Sequence, residues 1–446
     1  MTQLYAADHV LPVGAEPVRR GAVAVADGAI AMVGPLDAVR AAHPEADVED
    51  LGRAVLMPAL VNAHTHLEYA GYGGFGDGLP FAAWLADHIA RRPRLVPGDV
   101  EAQAALGALL CLQAGVGTIG DASYAGASLA AATAAGLRGT VHLEAFGGPD
   151  ADPAAVADAL AERLDALEPA ARGLVGLGVS PHSPYSVAPA VFAALVGLAR
   201  ARGVTAMAHV AESAAELEAV RDGSGPIADA LAALTRIEAT GRHPVDLLAD
   251  RGLIGPGLIL VHAVHVDDAQ AAAIGASGAA VVHCPRSNAL LGCGIAPVPA
   301  LRAAGAPVAI GTDSPASAGD FDIWAELRAA VQGARAREGR ADALTAGDAI
   351  RMATLDGARA LGLEGVVGAL APGLRADLVA VDLVGTPYAE AEDPAVAVVM
   401  AGAPERVLLT IVDGVVRYRR SADAERVAAA LAAAEPGRRR MIGDTD

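Results

Sequence analysis

Between about residue 55 and residue 312 the chain alternates short apolar runs with longer, Ala-rich segments of helical periodicity. Eight such runs occur, at about 55–62, 116–121, 139–144, 175–181, 204–210, 258–264, 279–284 and 307–312. Short runs that are apolar on both faces and alternate with helices predict a parallel sheet. Eight of them predict a closed (β/α)8 barrel, whose chemistry sits just past the C-terminal ends of the strands. The chain ends have another texture. "GAVAVADGAIAMVG" and "LLTIVDGVVRYRR" each join two β-prone runs at an Asp-Gly pair, Asp27-Gly28 and Asp413-Gly414, which predicts tight hairpins.

Three stretches interrupt this alternation. Ala211 to Arg251 has the pattern of a helical insertion. "GYGGFGDGLPFAAWLADHI" begins glycine-rich and ends as an amphipathic helix around Trp84, the pattern of a flexible lid with an anchored end. "RSADAERVAAALAAAEPGRRR" predicts a final helix and a frayed tail.

Composition narrows the function. With 53% hydrophobic residues but only 3% aromatic, the core must be built from Ala, Val and Leu. A net charge of −19 repels a phosphate backbone, and basic clusters such as "RYRR" and "GRRR" near the C-terminus are short, so nucleic acid is not an expected partner. No apolar run reaches membrane-spanning length and "MTQLYAADHV" lacks a signal-peptide pattern, so a cytoplasmic protein without a membrane partner is expected. Cys111, Cys284 and Cys293 have no C-x-x-C spacing and suit a reducing compartment. All 33 basic residues are arginine. The absence of lysine excludes a Walker-A phosphate site, a pyridoxal Schiff base, a Schiff-base aldolase and a bimetal centre bridged by a carboxylated lysine.

Candidate chemistry gathers at the predicted strand ends. His64 and His66 follow the first strand with period-two spacing, so both imidazoles leave the same side of the chain. His209 ends the fifth strand and Asp313 the eighth. Three imidazoles and a carboxylate suit one divalent ion, zinc first and iron second. Glu212, three residues past His209, is placed to shuttle a proton, although a helix N-terminal acid is the plainer reading. In "LVHAVHVDD", His262 is expected to polarise water or substrate and His265 to support from behind. His182 follows the fourth strand and is a candidate substrate contact. His9, His43, His88 and His243 lack such context and are expected to be surface or structural.

In this order, "PALVNAHTHLE", "HVAE", "VHAVH", "CPRSN" and "GTDS" resemble the amidohydrolase superfamily, in its cytosine-deaminase-like and chlorohydrolase-like branch. "GALAPGLRADLVAVD" resembles the segment that returns to the small β-domain of these enzymes. The resemblance implies a TIM-like barrel at 55–364 and a small β-sandwich domain from both chain ends, 1–54 and 365–420, with a helix and tail at 421–446. It further implies one metal held by His64, His66, His209 and Asp313, catalysis by Glu212, His262 and Asp313, and a homodimer. His182 stands where bimetal relatives carry their bridging lysine, which implies a mononuclear site.

A finer resemblance is to 6-aminodeoxyfutalosine deaminases of menaquinone biosynthesis, through "HTHLE" and a following aromatic, Phe81, Trp84-Leu85, "HSPYSV" and the Cys284–Gly292 stretch. Position 289 is Ala where that pattern places Arg. The implied reaction is hydrolytic release of ammonia from an amino-substituted heterocycle. Candidate substrate contacts are Glu68, Trp84, Glu144, His182, Ser287 and Asn288, with Arg286 either pairing a substrate carboxylate or facing outward. Alternatives are deamination of another aminopurine, pterin or nucleoside, triazine-type dechlorination, or a metal-bearing barrel that only binds. Gly71-Tyr72-Gly73-Gly74-Phe75-Gly76 matches a dinucleotide fingerprint formally but lacks the preceding strand and the acidic residue beyond it. The "HLE" tripeptides at His66 and His142 lack the P-C-x-x-C partner that another zinc-deaminase fold requires.

Overall fold

The structure, a computed structural model, describes residues 2–171 and 173–443. Five strands open the chain: β1 (Thr2–Val10), β2 (Val18–Ala26), β3 (Ala29–Pro35), β4 (Asp47–Asp50) and β5 (Ala54–Pro58). The barrel strands follow: β6 (Leu60–Thr65), β7 (Val116–Ser123), β8 (Arg138–Ala145), β9 (Val175–Pro181), β10 (Ala206–Val210), β11 (Leu258–His262), β12 (Ala280–His283) and β13 (Val308–Ile310). β14 (Leu378–Asp382), β15 (Val407–Val412) and β16 (Val415–Arg419) return to the first group.

β6 to β13 pair in sequence order as one parallel sheet. The barrel closes where the Thr65–Asp313 bridge forms and the Asp313 N–H donates to His64 O at 3.0 Å. So close an approach needs glycine: a Cβ on Gly311 would sit 2.7 Å from His64 O. Small aliphatic side chains fill the interior, Val61, Ala63, Met207, Val261, Val282 and Ala309 among them, as the aromatic-poor composition predicts.

The other eight strands form one mixed sheet from both chain ends, in the order β16-β15-β14-β5-β1-β2-β3 with β4 beside β1. It curls so that Val23 and Ile30 share an apolar cluster with Leu378 and Ile411. Asp27 and Gly28 have φ of 51° and 74°, and Asp413 and Gly414 have 58° and 76°, the left-handed pairs that the two Asp-Gly turns predict.

Two expectations change in detail. The run expected as one strand at 55–62 divides at Pro58: β5 joins the small sheet through β14 and β1, and β6 starts the barrel. A residue without an N–H ends the first ladder, and the chain crosses between sheets there. The basic segment expected to fray is helical through Ile442, because Met441 is buried and Arg440 pairs with Asp99 at 2.8 Å. The last three residues lie outside the described ones. No single helix among the described residues is long and apolar enough to cross a membrane.

At the bottom of the barrel, Arg138 of β8 donates to Asp377 at 2.7 and 3.1 Å and to Asp413 at 3.0 Å, joining barrel to small sheet. Arg138 and Asp377 are buried, so removing the cation strands carboxylate charge in a dry junction. Arg138→Met should cost about 3–5 kcal/mol, read as a lower urea midpoint than the wild-type chain.

Candidate metal centre and substrate cavity

The barrel rim converges four ligand-type atoms on one point. His66 Nε2 lies 3.4 Å from His209 Nε2 and 3.4 Å from Asp313 Oδ1, and His64 Nε2 lies 3.5 Å from the same oxygen. A zinc ion with bonds of about 2.0–2.1 Å at tetrahedral angles sets its donor atoms about 3.3–3.4 Å apart, so the spacing fits. His64 Nε2 is buried without a hydrogen-bond partner among the described residues, as a lone pair reserved for a cation would be.

Neighbouring groups fix the orientation of each ligand. His66 Nδ1 faces Ala122 O at 2.9 Å and His209 Nδ1 faces His182 O at 2.8 Å. A ring N–H donated to each carbonyl leaves the Nε2 lone pair pointing inward. Asp313 Oδ2 accepts from Ser287 Oγ at 2.7 Å and Ser317 Oγ at 2.8 Å, which turns Oδ1 toward the histidines. Burial keeps the imidazoles neutral: it depresses His66 and His262 to about 4 and His64 well below the usual value. Burial alone would raise the Asp313 carboxyl, but a proton on His64 or on a neighbouring imidazole pulls it well below the ordinary range, so the carboxyl is the group that ionises first. A neutral imidazole set around an ionised carboxylate is the protonation state that ligation requires.

Glu212 and His262 stand beside this cluster. Glu212 Oε1 is 3.6 Å from His262 Nε2, both side chains are buried, and His262 Nδ1 pairs with Asn288 Oδ1 at 2.9 Å. Glu216 accepts from the backbone N–H of Ala211 at 2.8 Å and of Glu212 at 2.7 Å, and so pins the turn that presents Glu212. Ala211, His262 and Asp313 have φ of 53°, 76° and 58°, left-handed backbone that only the surrounding bonds sustain.

A cavity of about 540 Å³ opens over the cluster. The barrel wall supplies His66, Glu144, His182, His209, Glu212, His262 and Asp313. The lid helix Phe81–Arg91 supplies Phe81, Trp84, Leu85 and His88, spaced on one helical face. Burial next to Glu68 raises Glu144 to about 8. His182 Nδ1 is engaged by Ser186 Oγ at 2.7 Å.

The structure brings His64, His66, His209, Asp313, Glu212 and His262 together, and Trp84, Glu144 and His182 line the cavity. Three expected substrate contacts do not line it. Glu68 is buried behind the rim, where its carboxylate accepts from Ser123 Oγ and from the N–H groups of Tyr124, Ala125 and Ala127, and so ties down the turn after β7. Ser287 and Asn288 serve Asp313 and His262 from behind. Arg286 is likewise bound in the protein, to Asp320 at 2.6 Å and to Ala318 O.

Sequence reasoning missed His88, Arg92, Glu216 and Ser317. The spacing 81, 84, 85, 88 was a legible signal for His88, and the capping pattern Ser213-x-x-Glu216 was one for Glu216. Arg92 contributes the one cationic side chain of the cavity lining, its guanidinium over the Tyr124 ring. Nothing in the sequence singled it out.

The sequence profile of the Amidohydrolase family matches residues 55–417. A 5-methylthioadenosine/S-adenosylhomocysteine deaminase of Nitratidesulfovibrio vulgaris is 35% identical over 412 residues, 90% of this chain and 88% of that one. A zinc-bound adenosine deaminase of Xanthomonas campestris superposes with a TM-score of 0.85 at 29% identity over 99% of this chain and 98% of the other. The Helicobacter pylori aminofutalosine deaminase, at 22% identity and a TM-score of 0.80 over 93% and 99% of the two chains, shares the fold.

If the two serines hold Asp313 in its ligating rotamer, the Ser287→Ala/Ser317→Ala double variant should lose metal affinity on the order of 10–100-fold in chelator competition. An unchanged affinity would remove that role.

Proposed function

The chain belongs to the amidohydrolase family, and on that premise we propose that it is a metal-dependent hydrolytic deaminase of an adenine-bearing nucleoside, a hydrolase acting on a C–N bond. The observation that carries the reading is the convergence of His64, His66, His209 and Asp313 at metal-ligand spacing with Glu212 and His262 directly above them. The donor set suits zinc, with iron the second choice.

When bound, a divalent cation here acidifies a water molecule toward neutral pH and supplies the nucleophile. The protein does the rest. Glu212, buried beside the cluster, takes a proton from the water and delivers it to the ring nitrogen next to the amino-bearing carbon, so negative charge does not accumulate on the heterocycle. His262, with Nδ1–H donated to Asn288 Oδ1, offers Nε2 to the attacking oxygen. The Asp313 carboxylate takes the second proton from the attacking oxygen and passes it to the amino group, which leaves as ammonia. The lid helix excludes bulk water and packs Phe81, Trp84 and Leu85 against the ring. On the opposite wall, Glu144 is mostly protonated near neutral pH and can donate, while His182 offers its free ring nitrogen to the sugar.

The relatives' names put 5-methylthioadenosine and S-adenosylhomocysteine first among substrates. Arg92 favours a nucleoside whose distal arm carries a carboxylate, which keeps 6-amino-6-deoxyfutalosine as the second reading. Ammonia release by metal-analysed protein from a panel of these nucleosides, adenosine, pterins, cytosine and triazines tests the proposal. Chloride release from a chlorotriazine without deamination would make it a dechlorinase. No turnover with the metal in place would leave a binding protein.

Glu212→Gln should reduce turnover on the order of 10²–10⁴-fold with metal content intact. Arg92→Met should raise KM for S-adenosylhomocysteine on the order of tenfold and leave KM for 5-methylthioadenosine, which lacks the carboxylate, near its original value.

A further inference from the structure

The last helix, Ala424–Ile442, ends against the lid rather than in solvent. Arg438 Nη1 donates to Gly71 O at 2.7 Å and Gly73 O at 2.8 Å, in the glycine-rich segment that leads into the lid helix. In return, Arg91 and Arg94, at the far end of the lid helix, donate to Met441 O at 3.0 and 2.8 Å. That carbonyl lies in the final turn of its helix, where four C=O groups lack intrahelical partners and cations are favoured by the dipole.

Phe75 sits between the guanidinium groups of Arg91 and Arg438, 4.1 and 4.9 Å from its centroid. Met441 is buried against Tyr72. Arg440 fixes this helix end to Asp99, at the start of the helix Asp99–Gln113 on the barrel flank.

Both ends of the lid are therefore tied to one short piece of chain more than 340 residues away in sequence. The middle is tied elsewhere: Trp84 Nε1 donates to Ala316 O at 2.9 Å, three residues past Asp313, and Phe81, Ala82 and Leu85 are buried in an apolar cluster with Tyr185, Ile227 and Leu231. The tied segment reaches the chemistry directly, since the Tyr69 ring lines the cavity and stacks on His66 with centroids 5.3 Å apart. Tyr69 in turn packs on Tyr72, the ring that Met441 covers.

We propose that the final two turns of the helix Ala424–Ile442 act as a strap that, with the apolar face of the lid helix, holds the lid closed over the cavity, with Arg438 as a positioning residue for substrate binding. Arg438 touches no reacting atom; it acts through the Gly71–Gly73 backbone and the tyrosines on either side. Its side chain is exposed, so replacing it leaves the core intact.

The test compares wild type, Arg438→Ala and Arg438→Lys by amide hydrogen exchange and by steady-state kinetics. In Arg438→Ala, residues 70–94 should exchange faster while the barrel strands and the metal content stay unchanged. KM should rise on the order of tenfold with a smaller change in kcat, and lysine, which can still reach both carbonyls, should restore most of it. Unchanged exchange in the lid overturns the strap, as does faster exchange with unaltered KM, or a loss confined to melting temperature. The kinetic arm rests on the deaminase reading, whereas the exchange arm does not. A wild-type protein that deaminates nothing, with a lid that loosens in Arg438→Ala, sinks the deaminase reading and upholds the strap.

Discussion

Lone pairs on three imidazoles and one carboxylate face one another across 3.4–3.5 Å at a buried barrel mouth. That arrangement is unfavourable without a cation, because the buried Nε2 of His64 has lost water and gained no partner. The fold is organised around imposing it. Closure of the barrel is itself made by the ligand strands, through the Thr65–Asp313 bridge and the Asp313 N–H to His64 O bond. Carbonyls of Ala122 and His182, and the hydroxyls of Ser287 and Ser317, then orient His66, His209 and Asp313. Left-handed backbone at Ala211, His262 and Asp313 marks where this network overrides local preference.

A chain without lysine must make every cationic contact with a planar, permanently charged fork. The consequence is visible at the joints. Arg138 engages two aspartates at once to lock the barrel onto the small sheet, and Arg438 spans two carbonyls of the lid segment with one nitrogen. Among the described residues the cavity lining holds one permanently charged cation, Arg92, and none of the ligands is paired with an arginine. Arg92, the cationic residue of the cavity lining, lies on the lid side, where it can meet a substrate arm without disturbing the ligand cluster.

Much of this was legible in the sequence, for a physical reason. Barrel strands are short apolar runs, and the residues past their ends are free to be polar, so His64, His66, His209, Glu212, His262 and Asp313 stood out against Ala and Val. What periodicity does not report is which polar neighbour faces the cavity and which faces the scaffold. Glu68, Ser287 and Asn288 share the rim with the ligands, yet each turns away from the cavity to satisfy a backbone turn, Asp313 or His262. The reverse error concerns His88. It sits on a helix with no strand beside it, and only its spacing from Phe81, Trp84 and Leu85 places it on the cavity face. Arg92 and the strap depend on contacts between segments distant in sequence, and no local pattern encodes those.

The division of labour follows from where each part is anchored. The ligands and Glu212 are carried by barrel strands and their first turns, whose backbone hydrogen bonds are shared with neighbours on both sides. Such elements tolerate little displacement, which suits groups that must hold a fixed geometry around an ion. The lid is a helix outside the barrel, bound to the rim by one indole N–H and an apolar face and to the helix Ala424–Ile442 by arginines. Its inner face packs Phe81, Ala82 and Leu85 into an apolar cluster with Tyr185, Ile227 and Leu231, while its polar ties lie toward solvent, outside the hydrogen-bond network of the ligands. The groups at metal-ligand spacing thus lie on the barrel rim, and the apolar wall of the cavity lies on a segment tied by arginines to the helix Ala424–Ile442.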